Sequence, residues 1–343
     1  VVLAACGGGG SSGGIGGGGG GGIGGTGVAY GTITAFGSVW VNGVEYSTSG
    51  TVFKTEDKPD GAGASQSDLR IGMVVRVDGS ISGATANTIT VDESIKGFVE
   101  AVPDANHIVV MGQSIQIDAT TAFDNGFVPA VTYRVNVYGL VVGDGIVAAS
   151  FIEKKAAAPN PPYAVKGVVK NHNPAAQTFQ VGALTVKYDS STNISDVATI
   201  ASWNGLQINA KGSVCLGAAP AACGTLTAVK VERVGVNELS VAQAEIEGIV
   251  SAVTASGFTI GNQVVATTGS TRYEGGVFGD IAVGTKLEAE GSISGGVLTA
   301  TKVSFRDAVR LEGDIASISG GTLTLSGLPG VTVNVTSITE LKN

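Results

Sequence analysis

The sequence predicts an all-β chain of tandem small OB-like β-barrel domains, four of them plus an incomplete fifth, behind a disordered Gly-rich tether. Three observations predict it: an internal repeat, apolar residues at every second position, and a composition poor in helix formers. Charged residues make up 14% of the 343 positions, against about a quarter in an average soluble domain. Gly, Thr, Ser, Val and Ala fill the difference. β-branched side chains pack well on a pleated surface, and Gly relieves tight turns.

The repeat is read first, because a fixed period decides the architecture. Five segments share an apolar residue, a spacer, Gly, a spacer, then Ile or Val: 29–33, 95–99, 165–169, 246–250 and 311–315. Their glycines, Gly31, Gly97, Gly167, Gly248 and Gly313, are 66, 70, 81 and 65 residues apart. A strand–turn signal follows each opening at Asn42-Gly43, Met111-Gly112, Val181-Gly182, Ile260-Gly261 and Ser326-Gly327. Asn-Gly between apolar strands marks a hairpin, since both positions accept positive φ. A third element alternates apolar residues up to Gly79, Gly139, Gly212 and Gly291, the pattern of a half-buried strand. A fourth follows a turn, as in Val297–Val303 after Gly295-Gly296. Four or five strands in each copy make a small sheet, and closing it removes the exposed edges. A five-stranded OB-like barrel fits that strand count.

The order Gly31-Thr32-Ile33, Phe36-Gly37-Ser38, Val41-Asn42-Gly43-Val44, then Leu69, Gly72, Val75, Val77 and Gly79 resembles the domain-of-unknown-function 5666 family. Copy one carries the pattern best; copy two has Met111 in place of Asn, and copies three to five keep mainly the Gly-x-Val/Ile opening. The resemblance implies tandem domains in an exported bacterial protein, often behind a lipobox, and it brings no catalytic residues.

The chain opens Val1-Val2-Leu3-Ala4-Ala5-Cys6-Gly7, which resembles the end of a lipoprotein signal peptide: Leu, two small residues, then Cys. Cys6 is the expected lipidation site, its several acyl chains giving stable anchoring where one would not. Without an initiator Met, and with a fifth copy that stops at Asn343, the sequence reads as cut at both ends. Residues 7–27 are almost wholly Gly and read as a flexible tether. Chance GxGxxG matches there lack the strand and helix that a phosphate-binding loop needs.

The expected divisions are 1–27 for signal remnant and tether, then domains at 28–94, 95–155, 163–234 and 244–306, with 307–343 an incomplete fifth. A Pro-rich linker occupies 156–162. Residues 235–243 are either a short connection or one helical turn.

No run of ~18 apolar residues predicts a membrane-spanning helix, and 6% aromatics speaks against the girdles of a transmembrane barrel. The net charge is −8, with basic residues scattered singly apart from Lys154-Lys155; a nucleic-acid binder normally carries a basic stripe, so no nucleic-acid partner is expected. His107 and His172 sit in polar turns and read as solvated rather than as zinc ligands or triad members. Asp57, Asp60 and Asp68 read as a hydrated loop, lacking the spacing of a calcium loop. Glu288 and Glu290 flank Ala289 and share one face, expected to meet solvent. Cys215 and Cys223 are expected to form a structural disulfide in an oxidising compartment. Trp40, Trp203, Tyr30, Tyr46, Tyr133, Tyr138, Phe36 and Phe53 offer a sugar-stacking platform, although aromatics on strands more often pack in cores.

The expectation is therefore a non-enzymatic, lipid-anchored protein of the bacterial envelope or cell surface, outer-membrane-anchored and facing periplasm or exterior. Its role would be structural, adhesive or interactive, with an envelope polysaccharide or protein as partner and no cofactor. Binding of an oligosaccharide or peptide on an open barrel face is the first alternative, and a hydrolase the second.

Overall fold

A computed structural model describes residues 27–156, 161–217, 222–306, 314–326 and 332–334. Among these the chain is all-β: there is no α-helix, only 3₁₀ turns at Gln66–Asp68, Asp124–Gly126 and Phe278–Asp280. Among them, no helix is long and apolar enough to cross a membrane.

Copy one holds β1 (Gly27–Phe36), β2 (Val39–Val41), β3 (Val44–Tyr46), β4 (Val52–Lys54), β5 (Val74–Ser80) and β6 (Thr85–Val91). Copy two holds β7 (Ile95–Asp104), β8 (His107–Val110), β9 (Gln113–Gln116), β10 (Ala122–Phe123), β11 (Arg134–Gly143) and β12 (Ile146–Lys155). Copy three has β13 (Tyr163–Asn173), β14 (Thr178–Val181), β15 (Leu184–Lys187) and β16 (Gln207–Gly212). It continues with β17 (Val214–Leu216), β18 (Thr225–Thr227) and β19 (Lys230–Arg233). Copy four has β20 (Ser240–Thr254), β21 (Gly257–Ile260), β22 (Gln263–Ala266), β23 (Arg272–Glu274), β24 (Lys286–Ser294) and β25 (Val297–Phe305). A three-stranded sheet follows: β26 (Ile315–Ser319), β27 (Thr322–Leu325) and β28 (Thr332–Asn334).

Within copy two the hydrogen-bonding path returns to its start. β7 pairs antiparallel with β8, and β8 with β9; β9 runs parallel to β12; β12 and β7 both pair antiparallel with β11. Copy four repeats the path through β20, β21, β22, β25 and β24. In copy three the last strand is split into β18 and β19, and in copy one the step from β3 to β6 is a bridge, Ser47 to Thr85. The parallel step was not legible in the repeat, since nothing in the alternation of single strands fixes strand direction.

The repeat glycines follow from this pairing. The opening Gly of each first strand lies under the residue that precedes or begins the hairpin turn. A Cβ on Gly97 would stand 2.7 Å from Met111 Cγ, one on Gly167 2.6 Å from Val181 Cγ1, and one on Gly248 2.5 Å from Ile260 Cγ2. On Gly31 it would overlap the Asn42 side chain. Opening and turn are thus one packing unit. Asn42 and Met111 both take positive φ (55° and 52°), so Met111 accepts at some cost the backbone that Asn adopts readily.

The expectation of barrels that stand separately is corrected. Ladders run from copy to copy: β1 pairs parallel with β20 at Val28–Ala244 to Tyr30–Ile246, and Lys96 of β7 pairs with Ala164 of β13. Copies one and four therefore share a 12-stranded sheet, and copies two and three a 13-stranded one. The cores merge likewise. Ile95, Val110 and Ile115 pack in one cluster with Phe179, Val181 and Leu184, while Tyr138 and Phe151 join the core of copy one. Apolar side chains that face outward on one copy find burial against the next, which releases more water-exposed area than four isolated units could. The segment 235–243 also differs from a helical turn: Ser240 to Gln243 already belong to β20. Gly27, assigned to the tether, is the first residue of β1. Residues 157–160 of the Pro-rich linker lie outside the described residues.

Candidate functional site

The structure separates the residues that the sequence singled out. Cys215 and Cys223 are disulfide-bonded, with Cα atoms 5.6 Å apart; Cys6 lies outside the described residues. His107 is exposed, its Nδ1 2.9 Å from Asp104. His172 stacks on Trp203 with ring centroids 4.2 Å apart. Its Nδ1 accepts from the Trp203 backbone N–H at 3.2 Å, so Nε2 carries the hydrogen and donates to the Tyr188 hydroxyl at 2.9 Å. Burial holds the His172 pKa below its ordinary value. This histidine is a packed member of an aromatic cluster, not the solvated turn residue expected. Trp203, Tyr30, Tyr46, Tyr138 and Phe53 are buried and Trp40 is half-buried, leaving Phe36 and Tyr133 exposed, so these aromatics do not form an open stacking face.

The loop after β4 is only partly a hydrated one. Asp68 is paired with Lys58 at 3.0 Å and Asp57 is largely exposed. Between Thr55 and Asp57, however, Glu56 is buried: it accepts from the Ser94 hydroxyl at 2.9 Å and the Tyr138 hydroxyl at 3.3 Å, and faces Lys96 at 3.4 Å. The junction Asp92-Glu93-Ser94 is a second meeting point. Asp92 Oδ2 accepts from Tyr30 at 2.7 Å and from Lys166 Nζ at 2.6 Å, binding copies one and three. Glu93 pairs with Lys211 of copy three, and its pKa is raised by burial and by Glu56. Asn262 of copy four donates to the carbonyls of Gln207 (2.6 Å) and Val234 (3.0 Å) in copy three.

The largest concentration of chemistry lies at the seam of copies one and four. On β20 and β24, Glu245 stands opposite Glu290 and Glu247 opposite Glu288. Like charges directly opposite destabilise a ladder, and three of the four are nearly inaccessible: Glu245 is 3% exposed, Glu247 5% and Glu288 1%. The expectation that Glu288 meets solvent is corrected. Its face is covered by Arg306, whose Nε donates to Glu288 Oε2 at 2.9 Å while Nη2 donates to the Asn42 carbonyl of copy one at 2.9 Å. Glu247 accepts from the Thr32 hydroxyl at 2.9 Å and faces Lys286 at 3.3 Å. Glu245 accepts from the Tyr46 hydroxyl at 3.3 Å. Lys302 sits between Glu290 and Glu274. Burial, reinforced by Glu290, raises the Glu245 pKa to about 7; burial, reinforced by Glu245, raises that of Glu288 to about 9. Beside these groups opens a cleft of about 600 Å³ bordered by Asn42, Ser82, Gln243, Glu290, Ser292 and Thr301. The sequence signal for this cluster was the matching i, i+2 acidic pairs on two strands of one copy; what hid it was the strand from copy one that covers them.

Among the described residues no group of three or more His, Cys, Asp or Glu side chains is arranged to hold a metal ion. The arrangement joins strands, and its carboxylates are engaged by cations and hydroxyls of the protein itself.

Two stretches of the chain, residues 96–153 and 247–304, match the family model described as Domain of unknown function (DUF5666). They coincide with copies two and four, whose strand paths both return to their first strand. No curated protein matches the chain.

Proposed function

Taking the chain as one that carries two domains of the domain-of-unknown-function 5666 family in tandem, we propose that it is a non-enzymatic, lipid-anchored envelope protein whose β copies form a rigid platform. The observation that carries this reading is the bracing between copies: the buried Lys166–Asp92 pair, the Glu56–Lys96 pair and the β1–β20 ladder. Buried pairs like these fix relative orientation even where they add little net stability. A fixed block on a Gly-rich leader suits presentation of a surface at a distance from a membrane. We read each copy as an OB-like barrel of the domains at 28–94, 95–155, 163–234 and 244–306. Support comes from the order first, second, third, fifth, fourth and back to first, with the third and fifth strands parallel.

The test is the mature amino terminus after expression in a bacterium with the secretion and lipid-modification machinery. Mass spectrometry should find Cys6 carrying diacylglyceryl and acyl mass, and a C6S variant should leave the membrane fraction. An unmodified Cys6 in a protein that still sediments with membranes overturns the anchor. Co-sedimentation with isolated envelope polysaccharides then tests the partner class.

A second reading, binding of an oligosaccharide or peptide, is favoured by the cleft between copies one and four. Its volume lies in the range of ligand sites, and its hydroxyl and amide rim offers both donors and acceptors. Glycan-array binding that is lost in Q243A supports it.

A further inference from the structure

We propose that the seam between copies one and four is a pH-operated latch, closed while its acidic cluster retains a proton and loosened when that proton leaves. The inference does not rest on the reading of the protein as an envelope platform.

The argument begins with register. β20 and β24 place Glu245 against Glu290 and Glu247 against Glu288, four carboxylates on one face of one hairpin-like pair. Three cations reach them: Lys286 to Glu247, Arg306 to Glu288 and Lys302 to Glu290. Lys302 also faces Glu274 of β23, which has Arg272 at 2.7 Å as its own partner. From copy one come neutral donors alone, Tyr46 to Glu245 and Thr32 to Glu247. One carboxylate has no ion pair of its own, and geometry identifies it as Glu245, which Arg306 offsets only from its place on Glu288. Its Oε1 is buried and has no hydrogen-bond partner. A poorly compensated charge in that position is strongly disfavoured, and such a group binds a proton instead.

The same atoms make the seam. Glu245 lies in the β1–β20 ladder opposite Ala29, Arg306 holds both Glu288 and the Asn42 carbonyl, and Gln243 bonds Ser82 at 3.1 Å. Charging Glu245 and then Glu288 sets two buried anions between the elements that dock copy one. The raised pKa values of both groups, about 7 and about 9 against an ordinary 4.5, place the change between about pH 4.5 and about pH 9. The sign follows from linkage. The closed seam binds more protons than the open one, so its stability is complete below pH 4.5 and declines as pH rises through about 7 and on to about 9. Tyr46, whose hydroxyl pKa is raised by burial and by Glu245, stays a donor throughout.

The experiment is amide hydrogen exchange on the full chain at pH 5.5, 7.5 and 9, corrected for the intrinsic pH dependence of exchange. Amides of the β1–β20 ladder are compared with those of the β7–β8 ladder in copy two. The expected result is a loss of seam protection of up to about tenfold per pH unit for each group that titrates, with copy two unchanged, and a shallower seam profile in E245Q. A parallel decline in both ladders overturns the proposal, as does E245Q with the wild-type slope. If E245Q does not fold, E288Q is read the same way, and if neither folds the contrast between the two wild-type ladders decides.

Discussion

A lysine with 2% exposure keeps its charge only beside a counter-ion, and Lys166 has Asp92 from another copy at 2.6 Å. Replacing it by Met leaves Asp92 with the Tyr30 hydroxyl but no cation and should cost about 3 kcal/mol, the cost of orphaning a buried charge. The double variant K166M/D92N should recover most of that loss, and urea denaturation of the four proteins of the cycle checks both. The pair was invisible in the sequence, where Lys166 is a spacer in Val165-Lys166-Gly167 and Asp92 stands 74 residues earlier. Cys215 and Cys223 were legible because the loop between them is short and a disulfide needs only local closure. Glu288 and Glu290 fall between these cases: period-two alternation put them on one face, but whether that face is wet depends on Arg306 and on a strand from copy one. The stacking of His172 was missed for the same reason, since the ring it packs on, Trp203, is 31 positions away.

Strand positions were better marked than strand partners. The opening Gly and the turn that follows it in each copy announced two strands, and β1/β2, β7/β8, β13/β14 and β20/β21 pair accordingly. The collision geometry explains why Gly stands at these openings. Ala ordinarily costs no more than Gly within a strand, having less entropy to lose. At Gly248 the added methyl would lie 2.5 Å from Ile260 Cγ2, so G248A should destabilise by about 1–3 kcal/mol, the range for overpacking, and I260A, which removes that carbon, should relieve part of it. Differential scanning fluorimetry of the single and double variants reads the effect; a stabilised G248A contradicts the paired-position account. What the repeat could not mark were β4, β10 and β23. These two- and three-residue strands run parallel to the last strand of their own copy, and are too short to carry a periodicity.

At the scale of the molecule, the sequence divided the chain into beads while the structure joins them. Length and repeat spacing mark where opening strands and their turns fall, but they are silent on what the outer faces touch. Merged cores have a thermodynamic signature. Residues 27–306 should unfold in a single calorimetric transition, with van't Hoff and calorimetric enthalpies in agreement, whereas independent beads would give several. Two or more resolved transitions would argue for separate barrels.

The parallel contact of β1 with β20 also sets an order of events in time. Val28 pairs with Ala244, so β1 leaves the ribosome some 216 residues before the strand that completes its edge. At 5–20 residues per second that is a wait of about 10–40 s, during which one edge of copy one offers unpaired amides and carbonyls to any passing chain. Copies two and three, adjacent in sequence and joined through β7 and β13, can settle within that interval. Copies two and three thus settle before copy one is completed, and copy one is the part that a holding chaperone would have most reason to shield.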